Sequence, residues 1–415
     1  MINMKKKILR YLGRYDWKKV DLLLLAIVVI LSSLGVFAVG RAGGPVKGAA
    51  FMHSQLTGLI LGLFVVLVLT FLDYHFIEKF AFAYYIFGLL LVFATHTGLG
   101  SSNGTDAVRW IDLGPVTFQP TELMKIIYVL FMAAFYEKFI RKKNRFSTIV
   151  YACVITIIPM LLIVTQPDLS SSLVILFIMI CLIFVVGTSY RMFLGIFGSA
   201  AVLLGGLFWY AVQPFSIFYK MFYDRFYQFR RIIGWLHPYD EKYAVNENYQ
   251  QLKSIRSIAA GKLYGKYLGT PDVSVNPRLY DSVSVNESDF VWSVIGEEFG
   301  FLGTLIIIGL YTVLVLRAIR IAKNAHDLLG RLIAVGIAAM FMFQIFTNIS
   351  VATFIFPNTG LPLPFLSNGL SSMLSSMIAV GLLMNISIQP DKSTRKGLHL
   401  HNSEYEEGGA FLSDV

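Results

Sequence analysis

A glutamate and a lysine stand three residues apart at the head of an apolar run, in Gln119-Pro120-Thr121-Glu122-Leu123-Met124-Lys125. An ionisable group inside a membrane-length apolar helix costs several kcal/mol unless it is paired or wet, so it signals function by default. Three apart, Glu122 and Lys125 share one helix face and can pair. Pro120 suits the first helical position, and Gln119 can help satisfy the free amides there. Arg109 and Asp112 come just before, in Arg109-Trp110-Ile111-Asp112-Leu113-Gly114, and are read as a surface loop. The constellation predicts a polar site at the lip of a membrane protein.

Three further polar clusters stand out. Gln166-Pro167-Asp168 precedes an apolar run, where Asp168 is either a helix N-cap or a site residue. Asn286-Glu287-Ser288-Asp289 precedes another, with Glu297 and Glu298 two turns deeper, and Asp289 has the same two readings. Asp289 and Glu297 would lie about 80° apart around a helix of about 3.6 residues per turn, and carboxylates near one face can divide into base, metal ligand or hydrogen-bond orienter. The glycines around Glu297 and Glu298 suit close helix packing equally well. Pro357-Asn358-Thr359-Gly360-Leu361-Pro362-Leu363-Pro364-Phe365 forms the last cluster.

These residues need elements to hold them. The chain is 56% hydrophobic and only 14% charged, with a mean hydropathy of +0.66. Ordinary soluble domains are about a quarter charged, so this reads as an all-α integral membrane protein. The net charge of +10 is no sign of nucleic-acid binding, because the basic residues collect in short connections. A span needs roughly 20 mostly apolar residues, and ten candidates appear: 21–40, 54–73, 79–97, 120–136, 147–165, 169–187, 192–213, 290–316, 331–356 and 370–388. With both ends cytoplasmic, Lys138, Arg141, Lys142, Lys143 and Arg145 fall in one inner connection, and Arg317, Arg320, Lys323 and Arg331 in or beside another. All the polar clusters then share the outer side of the cell membrane. Residues 1–20 read as a basic cytoplasmic tail whose following span serves as an uncleaved insertion signal, 21–388 as the membrane domain, and 389–415 as a disordered cytoplasmic tail. Residues 214–289, between the seventh and eighth spans, form a large extracytoplasmic loop. Its aromatic residues predict partial helical order, and its basic residues Lys220, Arg225, Arg230, Arg231, Lys253, Arg256, Lys262 and Lys266 form either a solvated surface or, with arginines beside aromatics, a surface suited to the phosphate of a lipid head group.

At these residues the chain resembles the SEDS family of cell-wall proteins (shape, elongation, division and sporulation; the RodA/FtsW/SpoVE group), across about residues 20–388. The family's Arg-Trp-Ile…Gly…Gln-Pro-Ser-Glu…Lys pattern is matched at Arg109–Lys125, with Thr121 for serine. Gln-Pro-Asp-Leu-Gly is matched at Gln166–Leu169, with Ser170 for glycine. A glycine-rich loop pattern is loosely met from Tyr249 to Gly269, with Lys262 and Tyr267 at glycine positions. Thr-Asp-Phe…Glu-Glu…Gly is met at Ser288-Asp289-Phe290 and Glu297–Gly300. The last motif runs from Thr359 to Ser372, with Asn368 for tyrosine and Leu370 for glycine.

The resemblance implies a peptidoglycan glycosyltransferase that polymerises lipid II, a disaccharide-peptide on undecaprenyl pyrophosphate, in elongation, division or sporulation. It implies Asp289 as the catalytic aspartate, with Arg109, Glu122, Lys125, Gln166, Asp168 and Glu298 binding substrate. It leaves open a divalent cation, Mg or Mn, and implies no organic cofactor. The implied partner is a class B penicillin-binding protein, for which Ser371–Ser376 and Gly330–Ala339 are candidate contact stretches; packing among the chain's own spans is their other reading. The alternatives are a diverged lipid II-binding scaffold and a lipid II flippase. A flippase should place paired broken helices near the midplane, whereas the polar groups here gather at one face.

Overall fold

The computed structural model describes residues 15–102, 108–112, 114, 117–140, 145–187, 190–223, 226–269 and 276–389. Residues 1–14, the connection 141–144 and the tail from 390 lie outside the described residues, so the expectations for both tails stay with the sequence.

Helices stand where hydropathy puts them. They are α1 (Leu22–Ala42), α2 (Gly44–Phe71), α3 (Ala81–Ala94), α4 (Pro120–Ile140), α5 (Arg145–Val164), α6 (Leu169–Val185) and α7 (Tyr190–Ala211, with a π-helical stretch at Leu194–Gly198). After the long loop come α10 (Val291–Asn324), α11 (Leu328–Ala352) and α12 (Leu370–Ile388). Seven of these are long and apolar enough to cross a membrane. Of the other three, α3 and α6 have 14 and 17 residues, short of the roughly 20 that a span needs. The third, α4, is 21 residues long but carries Glu122, Lys125, Glu137 and Lys138. Large apolar side chains such as Val202, Ile306 and Leu67 stand exposed around the bundle. Soluble monomers rarely expose apolar surface on this scale, and lipid is the solvent that suits it.

The centre of the bundle is α11 and α12, whose apolar stretches are 72% and 78% buried; α7 buries none and stands at the edge. α12 packs on α2, α11 on α10, α6 and α4, and α1 on α2 and α10. The end away from the long loop is tied by polar contacts. Asp21 caps α1 and pairs with Arg317 of α10 at 2.7 Å. Asp327 caps α11 and meets His75 at 2.6 Å, while Asn385 of α12 bonds Thr70 and Tyr74.

The long loop is folded, as its aromatic content predicts. Its longer helices are α8 (Tyr227–Leu236) and α9 (Tyr249–Ala260). α9 lies against α10, which breaks at Gly300 (φ 65°, ψ −166°). The amides of Phe301 and Leu302, exposed by that break, donate to the carbonyls of Lys262 and Leu263 at 2.8 and 3.1 Å, so the loop backbone caps the lower part of α10. One expectation changes here. The segment after Arg109 is not a plain loop: Trp110–Asp112 is the middle strand (β2) of a small antiparallel sheet with Gly100–Ser101 (β1) and Thr117–Phe118 (β3). Trp110 and Ile111 favour a strand once partners of matching register flank them.

Candidate active site

The loop end of the bundle holds a cavity of about 1440 Å³. Its walls come from every cluster named above: Arg109 and the β2 strand, Ser170 and Leu173 of α6, Phe208 of α7, Tyr227 and Arg231 of α8, Glu287–Asp289, Thr347 of α11, and the stretches Pro357–Gly360 and Asn368–Ser372.

Asp289 sits in the turn before α10 and does not cap it, because the cap residue is Phe290 and no side chain bonds the first amides. The backbone around it is pinned at three successive carbonyls. That of Glu287 accepts from the Asn368 amide (2.8 Å), that of Ser288 from the Ser367 hydroxyl (2.6 Å), and that of Asp289 from Asn348 Nδ2 (2.9 Å). Asn348 also donates to the Leu361 carbonyl at 2.7 Å, joining the Asp289 turn to the α11–α12 connection. Val285, which opens the turn, has φ +57°. A β-branched residue there costs energy and persists only where surrounding bonds over-determine the backbone.

The Asp289 carboxylate itself accepts no hydrogen bond from any described residue, unlike the carbonyls below it. A Cβ built on Gly360 would lie 3.1 Å from Asp289 Oδ2 and 3.9 Å from Arg109 Nη1, so both groups close over that glycine. Burial pushes the Asp289 carboxyl above the ordinary carboxylate value. Arg109 and Arg231 pull it back, while Asp168 and Glu287 push it up again. Arg109 is held by neutral oxygens: its Nε donates to the Gln166 carbonyl at 3.2 Å and its Nη2 to the Pro167 carbonyl.

The other expected site residues fall outside this cavity. Gln166 is buried behind it and bonds Val92 and Thr95, while its main chain holds Arg109. Asp168 is a buried N-cap of α6, accepting from the amide and hydroxyl of Ser171. Glu122 and Lys125 do pair, at 2.7 Å, but both are buried among the helices and neither lines the cavity. Glu298 is also withdrawn. Its Oε1 accepts from Arg41 (3.0 Å), Arg278 (3.0 Å) and the Tyr280 hydroxyl (2.7 Å). Glu297 takes Lys266 at 2.6 Å and the amides of Leu279 and Tyr280. The Asp289–Glu297 helical relation fails because Asp289 lies before the helix begins. Ser375 and Ser376 are buried, with Ser375 donating to the Glu122 carbonyl, and Gly336 abuts Val129, so these positions pack against the chain's own spans, while Ser371 and Ser372 line the cavity.

Asn348 was not singled out by the sequence, and Ser367 entered only as part of the Thr359–Ser372 motif, without a role. Asn348 carried a signal nonetheless, since an amide side chain in the middle of an apolar span needs a buried partner. Among the described residues no three His, Cys, Asp or Glu side chains converge to hold a metal on their own; a Mg²⁺ or Mn²⁺ shared between a carboxylate and substrate phosphates needs no such cluster.

Comparison with known proteins decides the family. The family described as "Cell cycle protein" (FTSW_RODA_SPOVE) matches residues 14–392. The chain belongs to this family. It is 34% identical to "Probable peptidoglycan glycosyltransferase FtsW" of Trichlorobacter lovleyi over 88% of this chain and 93% of that one. It is 30% identical to "Peptidoglycan glycosyltransferase MrdB" of Escherichia coli over 89% of this chain and 94% of that one. A solved structure described as "Structural coordination of polymerization and crosslinking by a peptidoglycan synthase complex" matches 90% of this chain and 97% of its own at 28% identity, with a TM-score of 0.71. The fold is therefore that of a multi-pass bacterial membrane protein of the FtsW/RodA/SpoVE family.

Departures from the family pattern have local explanations in the structure. Ser170, at a glycine position, bonds the Thr359 carbonyl and so ties α6 to the α11–α12 connection. Tyr267 packs edge-on against Phe37 of α1. Leu370 lies at contact distance from Gly58 of α2. Lys262 keeps the left-handed backbone that glycine would favour, with φ +50°.

Proposed function

We propose that this cavity is where the chain polymerises lipid II, with Asp289 as general base and Arg109 binding the donor's diphosphate. The protein is a peptidoglycan glycosyltransferase, by its family and the relatives it matches over most of its length. In this reading the hydroxyl of the acceptor sugar attacks the anomeric carbon of the donor. Asp289 takes the hydroxyl proton as the new C–O bond forms. The bond to the diphosphate breaks, and its electron pair leaves with the undecaprenyl diphosphate. Arg109, held by carbonyls that leave its charge uncancelled, meets the negative charge that develops there.

The observation that carries this reading is the Asp289 carboxylate: facing a large cavity, without a hydrogen-bond donor among the described residues, on a backbone pinned at three points. A carboxylate already saturated with donors would have little capacity to take a proton. Glu122, Lys125, Gln166, Asp168 and Glu298 then support the site from outside the cavity. We further propose ten spans with both termini cytoplasmic and the loop end extracytoplasmic. Arg317, Arg320 and Lys323, at the end of α10 away from the loop, support that orientation. A class B penicillin-binding protein is the proposed cross-linking partner, in keeping with the synthase complex among the structural relatives. The test is purified protein, with that partner, incubated with labelled lipid II. Glycan polymer is expected; binding without polymer would make the chain a scaffold, and transfer across vesicle leaflets without polymer would make it a flippase.

A further inference from the structure

We propose that Arg231, on loop helix α8, is a second binding residue for the donor's diphosphate, so that the long loop forms part of the active site. This rests on the polymerase reading of the cavity. Two adjacent arginines on α8 differ in their surroundings. Arg230 has an acidic neighbour, its Nε lying 3.8 Å from Glu247. Arg231 has no ion pair among the described residues. Its Nη1 donates to the Asn358 carbonyl (3.2 Å), its Nη2 to the Tyr227 hydroxyl (3.0 Å), and its Cζ lies 4.3 Å over the Tyr227 ring. These contacts fix the guanidinium plane without cancelling its charge. Its Nε is buried and has no acceptor. A guanidinium has five N–H donors, so most of this fork awaits a ligand oxygen.

Arg109 is built the same way, on the Gln166 and Pro167 carbonyls. Arg109 and Arg231, hung from different elements and without an ion pair among the described residues, line the cavity together with Arg230 and the carboxylates of Asp112, Glu287 and Asp289. Both guanidinium groups are half-buried and make no ion pair among the described residues, so an anion entering the cavity can take their remaining N–H groups. Two forks suit two phosphate groups, because guanidinium binds phosphate oxygens in pairs. The arrangement therefore predicts preference for a lipid diphosphate over the monophosphate.

The test measures binding of undecaprenyl diphosphate and undecaprenyl monophosphate to the full chain, with thermal melting as a check on folding. Wild type should favour the diphosphate. Arg231→Gln should lose about tenfold or more in diphosphate affinity, with little change for the monophosphate and an unchanged melt. Arg231→Lys, which keeps charge but not the fork, should fall between. Diphosphate binding by Arg231→Gln equal to wild type, or an equal loss for both lipids, would overturn the proposal. If the glutamine variant melts early, the lysine variant decides: an undiminished preference there also overturns it. Wild-type protein that binds diphosphate through Arg231 yet makes no polymer would overturn the polymerase reading and leave this one standing.

Discussion

Asp289 and the pair Glu297–Glu298 lie within ten residues of chain, yet their surroundings are opposite. Glu297 and Glu298 are buried and saturated, holding Lys266, Arg278, Arg41 and the Tyr280 hydroxyl between them. They fasten the long loop and α1 to the top of α10. Asp289 faces a cavity with Arg109 and Arg231 nearby and, among the described residues, no hydrogen bond to its carboxylate. The difference separates a carboxylate that builds from one that can react. A saturated acid has its lone pairs committed; an acid with fixed backbone and idle oxygens is available to a substrate proton.

Removing the builder should harm the fold most. Glu298→Ala strands the buried Arg278 guanidinium and releases the partly exposed Arg41, and breaking a buried ion pair costs about 3–5 kcal/mol. The expected result is a sharp drop in folded yield and melting temperature, with activity lost only in proportion. Full stability with selective loss of polymer would return Glu298 to the active site. Asn348→Ala should do the reverse. It frees the carbonyls of Asp289 and Leu361, and a misplacement of about 1 Å can cost about 100-fold in rate. Turnover should fall far more than lipid II binding; equal losses would mean that Asn348 only packs.

Gly360→Ala is a gentler probe of the same site. The position has φ +73°, and the new Cβ would press within 3.1 Å of Asp289 Oδ2. A left-handed alanine costs about 1–2 kcal/mol, and activity should drop roughly tenfold, the equivalent of about 1.4 kcal/mol. Normal polymerisation would show that the carboxylate has room to move. The smallest effect belongs to the loop. Lys262→Gly should raise stability by roughly 1 kcal/mol by relieving a left-handed lysine, with no change in turnover. A lower melting temperature would show that the lysine side chain has a role of its own.

Helix positions were legible because apolar runs of membrane length have few other uses, and the break at Gly300 lay inside one of them. Asp289 and Arg109 were legible from residue type and the family pattern. Glu122, Lys125 and Glu298 lie outside the cavity lining, which the sequence could not reveal for a physical reason: a charge within a span signals either a site or an internal ion pair. For Glu298 the choice depends on partners such as Arg41, far away in the chain. Glu122 and Lys125 could be paired from their spacing, but spacing does not reveal whether the pair faces a cavity or the interior. Arg231 was one basic residue among several in the loop. Only the folded chain shows that Arg230 has an acidic neighbour while Arg231 meets neutral oxygens.

The most direct test of Asp289 as base is polymerisation of labelled lipid II by Asp289→Asn alongside its thermal melt, across pH. Burial raises the Asp289 carboxyl, so the folded state holds its proton more tightly than the unfolded chain. The stability this confers is present at low pH and is lost as pH rises through the raised value, so the neutral asparagine should melt at or above wild type. Wild-type turnover should fall as pH drops through that same raised value. Asp289→Asn should lose about 10²–10⁴-fold in turnover and lose that acid limb. Near-normal polymer from a well-folded Asp289→Asn protein, or an acid limb that survives the substitution, would contradict the assignment.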